Sequence, residues 1–234
     1  MNSVIRFGVA LLSLAMAGQA SAHHLWLEQD GGTTRLYFGE FGENLREASP
    51  GSLDRLQPQA KLVTGSGERA LKVEKSANSF AIAGVPAVSE SIVAEDVRWP
   101  AFARKDGGKG LYWPAARLVG EGGSYAPVLA LDVVPAGADT YRVVFKGKPL
   151  AKAKVQVITS AGWARELHTA EDGTIKVALP WRGTYVLEVH HNDSTPGKRG
   201  EDAYDVINYV TSLTVVSKQG LEPLPSLPAA APYK

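Results

Sequence analysis

The sequence predicts an all-β protein made of two β-sandwich domains, and two observations favour this fold class. Short runs rich in apolar and β-branched residues recur along residues 23–217, with glycine, proline and aspartate between them. Little of this region shows the apolar period of an amphipathic helix. Frequent strands separated by turn residues are typical of sandwiches. We predict a first domain at 23–134 and a second at 135–217.

Residues 1–22 have the pattern of a secretory signal peptide. Arg6 supplies a positive charge, an apolar run follows from Phe7 to Gly18, and Ala20-Ser21-Ala22 places small residues where signal peptidase cuts. The apolar run is shorter than the ~20 residues that a membrane-spanning helix needs. We therefore expect cleavage after Ala22, a periplasmic mature chain that begins with His23, and no membrane span within it.

The first domain is expected to open with a hairpin. Its strands are HHLWLEQ (23–29) and TTRLYF (33–38), on either side of Asp30-Gly31-Gly32. One short helical turn is expected within 49–57. The remaining strands are AKLVTG, ALKVEKS, SFAIAG, SESIVAEDV, LYWPAARLV and YAPVLALDVVP.

The second domain shows clearer alternation. In GTYVLEVH (183–190), Tyr185, Leu187 and Val189 share one face, and Val186, Glu188 and His190 share the other. Asp172-Gly173 signals a hairpin turn between ARELHTA and TIKVAL. NYVTSLTVV (208–216) is the last predicted strand, and the proline-rich tail at 218–234 is expected to be unpaired.

Composition excludes several classes of function. The chain has no cysteine, so an exported form must depend on its core rather than on disulfides. Without Arg6 it carries 24 basic and 24 acidic residues, and it has no basic stripe for nucleic acid. The G-x-S-x-G, H-E-x-x-H and phosphate-loop motifs are also missing from the sequence. We expect a protein that is not an enzyme.

Turn and core residues of the second domain follow a recognisable order. They form Gly-x-Pro-Leu-x-x-Ala-x-Val, then Asp-Gly, then Gly-x-Tyr, through Gly147, Pro149, Leu150, Ala153, Val155, Asp172, Gly173, Gly183 and Tyr185. The glycines permit tight turns, and the tyrosine is expected to pack inward at a strand start. This pattern resembles the sandwiches of the transthyretin and carboxypeptidase-regulatory type, which implies an immunoglobulin- or transthyretin-like second domain.

Further features extend over most of the mature chain, from His23 to about Val216. They are the Ala-His junction followed by a Trp-Leu strand, the segment Leu131, Asp132, Val133, Val134 and Pro135, and the group His190, His191, Pro196 and Gly197. Together they resemble a bacterial exported family, catalogued as a domain of unknown function, that is linked to nickel and cobalt uptake. The resemblance implies metal handling, with an inner- or outer-membrane metal transporter as partner.

Four of the five histidines form two adjacent pairs at predicted strand ends. After cleavage, His23 offers its α-amine and its imidazole Nδ1, which together can close a chelate ring on a divalent ion. His190 and His191 are the expected suppliers of a further nitrogen, and His24 is a ligand or a neighbour of one. Without cysteine, and with both methionines inside the leader, nitrogen ligands favour Ni²⁺, Co²⁺ or Cu²⁺ over Cu⁺.

Strand geometry narrows this set. Neighbouring residues of a strand point to opposite faces, so one member of each pair enters a given site easily. We favour His190 over His191 because His190 shares a face with Glu188. Asp193 and Glu43 are alternative oxygen ligands, while His168 is expected at the surface. The alternative for His23-His24 is an incidental pair at a disordered chain start, and the alternative for His190-His191 is a pair of solvated strand-end residues.

Three functions remain open at this point. The first is a periplasmic metal-binding protein that captures or delivers Ni²⁺, Co²⁺ or Cu²⁺ for a transporter. The second is a copper-dependent oxidative enzyme with an N-terminal histidine site, which would produce hydrogen peroxide or oxidised sugars. The third is a metal-free envelope interaction module, which would take up no divalent ion in a titration.

Overall fold

A computed structural model describes residues 23–232, and the predicted signal peptide at 1–22 lies outside them. Within this range the chain forms twenty strands and two short 3₁₀ helices, with no α-helix. The all-β fold class is therefore confirmed. Across the same residues, no helix has the length and apolar character needed to cross a bilayer.

Residues 23–119 supply ten strands. These are β1 (His24–Asp30), β2 (Thr33–Glu40), β3 (Leu45–Arg46), β4 (Gln59–Thr64), β5 (Gly67–Leu71), β6 (Val73–Lys75), β7 (Phe80–Ala83), β8 (Ser91–Glu95), β9 (Phe102–Ala103) and β10 (Lys109–Val119). The predicted opening hairpin is confirmed, because β1 and β2 pair antiparallel around Gly31-Gly32. The 3₁₀ helices are Phe41–Glu43 and Ser52–Arg55, and the second of them is the predicted turn within 49–57.

The remaining described residues supply ten more strands. These are β11 (Leu131–Pro135), β12 (Thr140–Phe145), β13 (Lys148–Pro149), β14 (Lys154–Thr159), β15 (Ala164–His168), β16 (Thr174–Lys176), β17 (Gly183–Asp193), β18 (Gly197–Arg199), β19 (Asp202–Tyr204) and β20 (Val206–Ser217).

These strands assemble into four sheets. A five-stranded sheet has the order β1-β2-β7-β6, with β3 beside β2. A nine-stranded sheet has the order β15-β14-β17-β20-β10-β8-β4-β5, with β9 beside β10. β11, β12, β13 and β16 form a four-stranded sheet, and β18 pairs with β19. The nine-stranded sheet extends through both predicted domains, because β10 pairs in parallel with β20.

Two main cores lie beside the long sheet. The first includes Leu25, Leu27, Leu36, Ile82, Ile92 and Leu118. The second includes Val143, Val155, Tyr185, Leu187, Val189 and Leu213. β17 thus sends Tyr185, Leu187 and Val189 into the second core, as its alternation predicts. Tyr185 accepts a hydrogen bond from the Trp181 amide at 2.8 Å, which fixes the start of β17.

The predicted hairpin at Asp172-Gly173 is wrong. A turn does form, and Asp172 Oδ1 accepts a hydrogen bond from the Thr174 amide at 3.0 Å. The flanking strands nevertheless belong to different sheets, since β15 pairs with β14 and β16 pairs with β12. The turn therefore carries the chain from one layer of the sandwich to the other.

The expectation of an unpaired tail is also wrong. Although residues 218–232 form no regular strand, they bond to both halves of the molecule. The Leu227 amide donates to the Ser160 carbonyl, and the Ala230 amide donates to the Asn44 carbonyl, both at 3.1 Å. The tail therefore acts as a strap between the β14–β15 connection and the segment before β3.

Candidate functional site

The start of β1 lies against β17 and β20. The Ser212 hydroxyl on β20 donates a 2.6 Å hydrogen bond to the Leu25 carbonyl. Because side chains alternate along β1, Leu25 enters the first core while Trp26 packs with Val186 of β17. His24 shares the Trp26 face and is consequently buried against the same strand.

Glu188 on β17 brings two of the predicted histidines together. Its Oε2 atom lies 3.1 Å from Nδ1 of His24, and its Oε1 atom contacts Nε2 of His190. Burial alone would raise the pKa of the Glu188 carboxyl, but the His24 and His190 imidazoles outweigh burial and hold the pKa below its ordinary value. β1 covers the face of β17 that the sequence suggested was outward, so Glu188 is only 7% exposed.

His23 contacts a second group of carboxylates, Glu47 and Glu40. Nε2 of His23 lies 2.5 Å from Oε1 of Glu47, and Nδ1 lies 3.6 Å from Oε1 of Glu40. Glu47 is fully buried and Glu40 is nearly so. The Glu47 amide donates to the Phe38 carbonyl at 2.8 Å, which holds this residue beside β2.

Tyr112 bonds to the main chain of His23. Its hydroxyl donates a 2.5 Å hydrogen bond to the His23 carbonyl. Burial, with smaller contributions from the charges of Glu188 and Asp96, raises the pKa of the Tyr112 hydroxyl strongly, so it stays protonated and remains a donor. The main chain at residue 23 is thereby tied to β10, while the His23 ring contacts Glu47.

His191 is not brought to this site. It lies on the opposite face of β17, where its ring centroid is 4.3 Å from that of Phe145. Burial lowers the pKa of the His191 imidazole, with Lys146 adding to the shift and Asp193 opposing it. Of the alternative oxygen ligands, Asp193 pairs with Lys146 at 2.6 Å and Glu43 is exposed.

The site therefore contains His23, His24 and His190 on buried carboxylates. Over residues 23–232, no three His, Asp or Glu side chains are already arranged as ligands of one metal ion. The clusters of Glu47 and Glu188 are joined because His23 and His24 are consecutive. What the arrangement offers is a set of imidazole nitrogens and carboxylate oxygens, the donor types that bind divalent transition metals.

The sequence matches no model of a known protein family and no curated protein. The resemblance to an exported family linked to nickel and cobalt uptake therefore stays a prediction.

Glu40 and Glu47 were missed by the sequence analysis. Glu40 carried a usable signal, because it continues the buried series Thr34, Leu36 and Phe38 on one face of β2. An acidic residue in phase with core residues indicates a buried carboxylate that needs a partner. Glu47 follows β3, and its amide bond to Phe38 continues the β2–β3 pairing, but its contact with His23, 24 residues away, is indicated by no local pattern.

Proposed function

We propose that this chain is a periplasmic divalent-metal-binding protein, an accessory component of nickel, cobalt or copper uptake. It binds the ion at the start of β1 through His23, His24 and His190. The observation that carries the proposal is that all three histidines contact buried carboxylates, His24 and His190 at Glu188 and the adjacent His23 at Glu47, although residues 24 and 190 are far apart in the chain.

The spacing around Glu188 supports this proposal. Ligand atoms at about 2.0–2.1 Å from a tetrahedral metal ion are about 3.3 Å from one another. The 3.1 Å between Nδ1 of His24 and Oε2 of Glu188 is close to that separation. An entering divalent ion displaces protons from the imidazoles and takes over the charge compensation of the carboxylate. At Glu188, small movements of side chains already in contact therefore bring an imidazole nitrogen and a carboxylate oxygen onto one ion.

Removal of the predicted leader strengthens the site. Cleavage after Ala22 gives His23 a free α-amine, and the Tyr112 bond ties the main chain at this residue to β10. The amine and the imidazoles are nitrogen ligands of intermediate softness, which suit Ni²⁺, Co²⁺ and Cu²⁺. Delivery of the bound ion to a membrane transporter is the role that the family resemblance implies.

Calorimetric titration of the protein that begins at His23 tests the proposal, with Ni²⁺, Co²⁺ and Cu²⁺ added separately. We expect one tight site for at least one ion. Glu188→Gln and His190→Gln should each weaken it by about 10-fold or more, on the scale of losses at metal sites. His168→Gln, an exposed histidine at the end of β15, is the matched control and should bind as the wild type does.

Two results would overturn the proposal. One is a wild-type protein that takes up none of the three ions. The other is uptake that persists unchanged in Glu188→Gln and His190→Gln, since the ion would then bind elsewhere. His191→Gln should leave affinity unchanged, because His191 lies on the opposite face of β17.

A further inference from the structure

Glu47 has a feature that its contact with His23 does not explain. Its side chain is fully buried, and one oxygen, Oε1, lies 2.5 Å from Nε2 of His23. The other oxygen, Oε2, is buried without a hydrogen-bond partner among the described residues. A buried carboxylate oxygen without a partner is costly, so the site has capacity for a further positive charge or donor.

The Glu47 contact sets the protonation pattern of the His23 ring. An ionised carboxylate only accepts hydrogen bonds, so the short contact requires a proton on Nε2. In a neutral imidazole the lone pair then resides on Nδ1. Nδ1 is the ring nitrogen that can close a chelate ring with the α-amine of the same residue. Glu47 thus selects the tautomer that the proposed N-terminal chelate needs.

Glu40 lies where it could supply an oxygen ligand to an ion bound by Nδ1 of His23. Its Oε1 atom is 3.6 Å from Nδ1 of His23, beyond ordinary hydrogen-bond length. That distance is near the separation of about 3.3 Å between two ligands of one tetrahedral ion. Two buried carboxylates facing one imidazole also favour a divalent cation, because even an imidazolium compensates only one of the two negative charges.

We infer that Glu47 is a positioning residue that fixes His23 with Nδ1 as its metal-binding nitrogen, and that Glu40 supplies an oxygen ligand to the same ion. The inference rests on the proposed metal-binding function and specifies the ligand set at residue 23 as amine, Nδ1 and carboxylate. Glu47 acts through the His23 ring, in the manner of carboxylates that orient metal-bound histidines.

Nitrogen NMR of the metal-free protein that begins at His23 tests the role of Glu47 directly. We expect the wild-type ring to carry its proton on Nε2. Glu47→Ala should lose this preference, and Glu47→Gln should keep it, because the amide oxygen still accepts the Nε2 proton. A merely structural role for Glu47 would leave the tautomer of His23 unchanged in both variants.

Metal affinity, measured by competition with a chelator, tests the ligand set. Glu47→Ala should weaken binding by about 10- to 100-fold, and Glu47→Gln should restore part of that loss. Glu40→Gln should weaken binding, shift the visible spectrum of the Cu²⁺ form and leave the tautomer unchanged. Glu43→Gln, an exposed neighbour in the 3₁₀ helix Phe41–Glu43, is the matched control.

The outcomes separate this inference from the proposed function. If the wild type binds metal while Glu47→Ala and Glu40→Gln bind it equally well, the inference is wrong and the metal-binding function stands. If the wild type binds no metal, the proposed function itself fails. If Glu47→Ala does not fold, two measurements still test the inference. The metal affinity of Glu40→Gln tests the oxygen ligand, and the tautomer of wild-type His23 tests Glu47, because a proton on Nδ1 contradicts the role given to Glu47.

Discussion

Glu188 and His24 meet across two strands that are far apart in the sequence, with Oε2 of Glu188 3.1 Å from Nδ1 of His24. Both side chains are buried, so neither can exchange this contact for water. The pairing helps to hold the start of β1 against the long sheet, to which the Tyr112 bond also ties His23. The proposed site therefore depends on the same contact that helps to hold the first sheet in place.

Glu188→Ala should lower the free energy of unfolding by about 1–3 kcal/mol, because the buried imidazole of His24 loses its carboxylate partner. The loss stays below that of a broken permanent ion pair, since an imidazole can give up its proton. Urea denaturation of the metal-free protein measures it. Glu166→Ala is the control, because Glu166 is an exposed carboxylate on β15 and its removal should change stability by no more than about 0.5 kcal/mol. Equal losses in the two variants would contradict a structural role for the Glu188 contact.

Arg117 and Asp132 form a fully buried ion pair with two direct bonds. Nε of Arg117 lies 2.9 Å from Oδ1 of Asp132, and Nη2 lies 2.6 Å from Oδ2. The Val128 and Leu129 amides also donate to Oδ2. Asp132 belongs to the Leu-Asp-Val-Val-Pro segment that contributed to the family resemblance, and here its contacts tie β11 to β10.

Asp132→Ala should therefore lower the free energy of unfolding by about 3–5 kcal/mol, since it leaves the Arg117 guanidinium buried without its counter-ion. Thermal and urea unfolding measure the change, with the exposed Asp139→Ala as control. The double variant Arg117→Met, Asp132→Leu should recover much of the loss, because no charge then remains buried. A double variant as unstable as Asp132→Ala would show that altered packing or the loss of an acceptor for the Val128 and Leu129 amides, rather than the unpaired charge, accounts for the effect.

The alternation of β17 shows how much of the site the sequence contained. A period of two residues was enough to place Glu188 and His190 on one face and Val189 on the other. It was not enough to show that β1 covers this face, because that depends on packing between distant strands. Glu188 was therefore noted as a neighbour of His190, and its burial against His24 came only from the structure.

Turn residues likewise predicted local geometry but not the pairing of distant strands. Asp172-Gly173 correctly indicated a turn, since the dipeptide encodes local backbone geometry. Which strands it joins is decided by pairing partners elsewhere, and here β15 and β16 enter different sheets. Glu47 is the clearest case, because its side chain is buried against His23, which is 24 residues away in the sequence.

Ionised Asp193 should stabilise the protein, and this contribution should be lost in acid. Its hydrogen bonds, first to Lys146 and then to Thr195, lower the pKa of its carboxyl to about 2. An unfolded aspartate titrates near ~3.9, so the stabilisation is complete above about pH 4 and is lost as the pH falls towards 2. Because the ion pair lies near the surface, it should contribute less than about 1 kcal/mol.

Carboxyl NMR titration checks this directly, with an expected midpoint for Asp193 close to the lowered value. Lys146→Gln should move the midpoint back towards ordinary aspartate. The stability difference between wild type and Asp193→Asn should shrink as the pH is lowered through this window. A midpoint near 3.9 in the wild type would contradict the proposed effect of Lys146.

The C-terminal strap should stabilise the segment that presents Glu47. Asn44 Nδ2 donates to the Leu227 carbonyl at 2.6 Å, and the Ala230 amide donates to the Asn44 carbonyl at 3.1 Å. Asn44 directly precedes β3, and Glu47 directly follows it. Removing residues 221–234 eliminates both bonds, so local opening of this segment should become easier while the cores on the long sheet stay intact.

Amide hydrogen exchange of the truncated protein should therefore show faster exchange at residues 45–47 than in the wild type. β5, at the far edge of the nine-stranded sheet, should exchange at an unchanged rate and serves as the internal control. Asn44→Ala in the full chain should reproduce part of the effect, because it removes the side-chain bond to Leu227 and keeps the tail. Faster exchange throughout the molecule would instead show that the tail stabilises the whole fold, and unchanged exchange at 45–47 would show that these bonds do not hold the Glu47 segment.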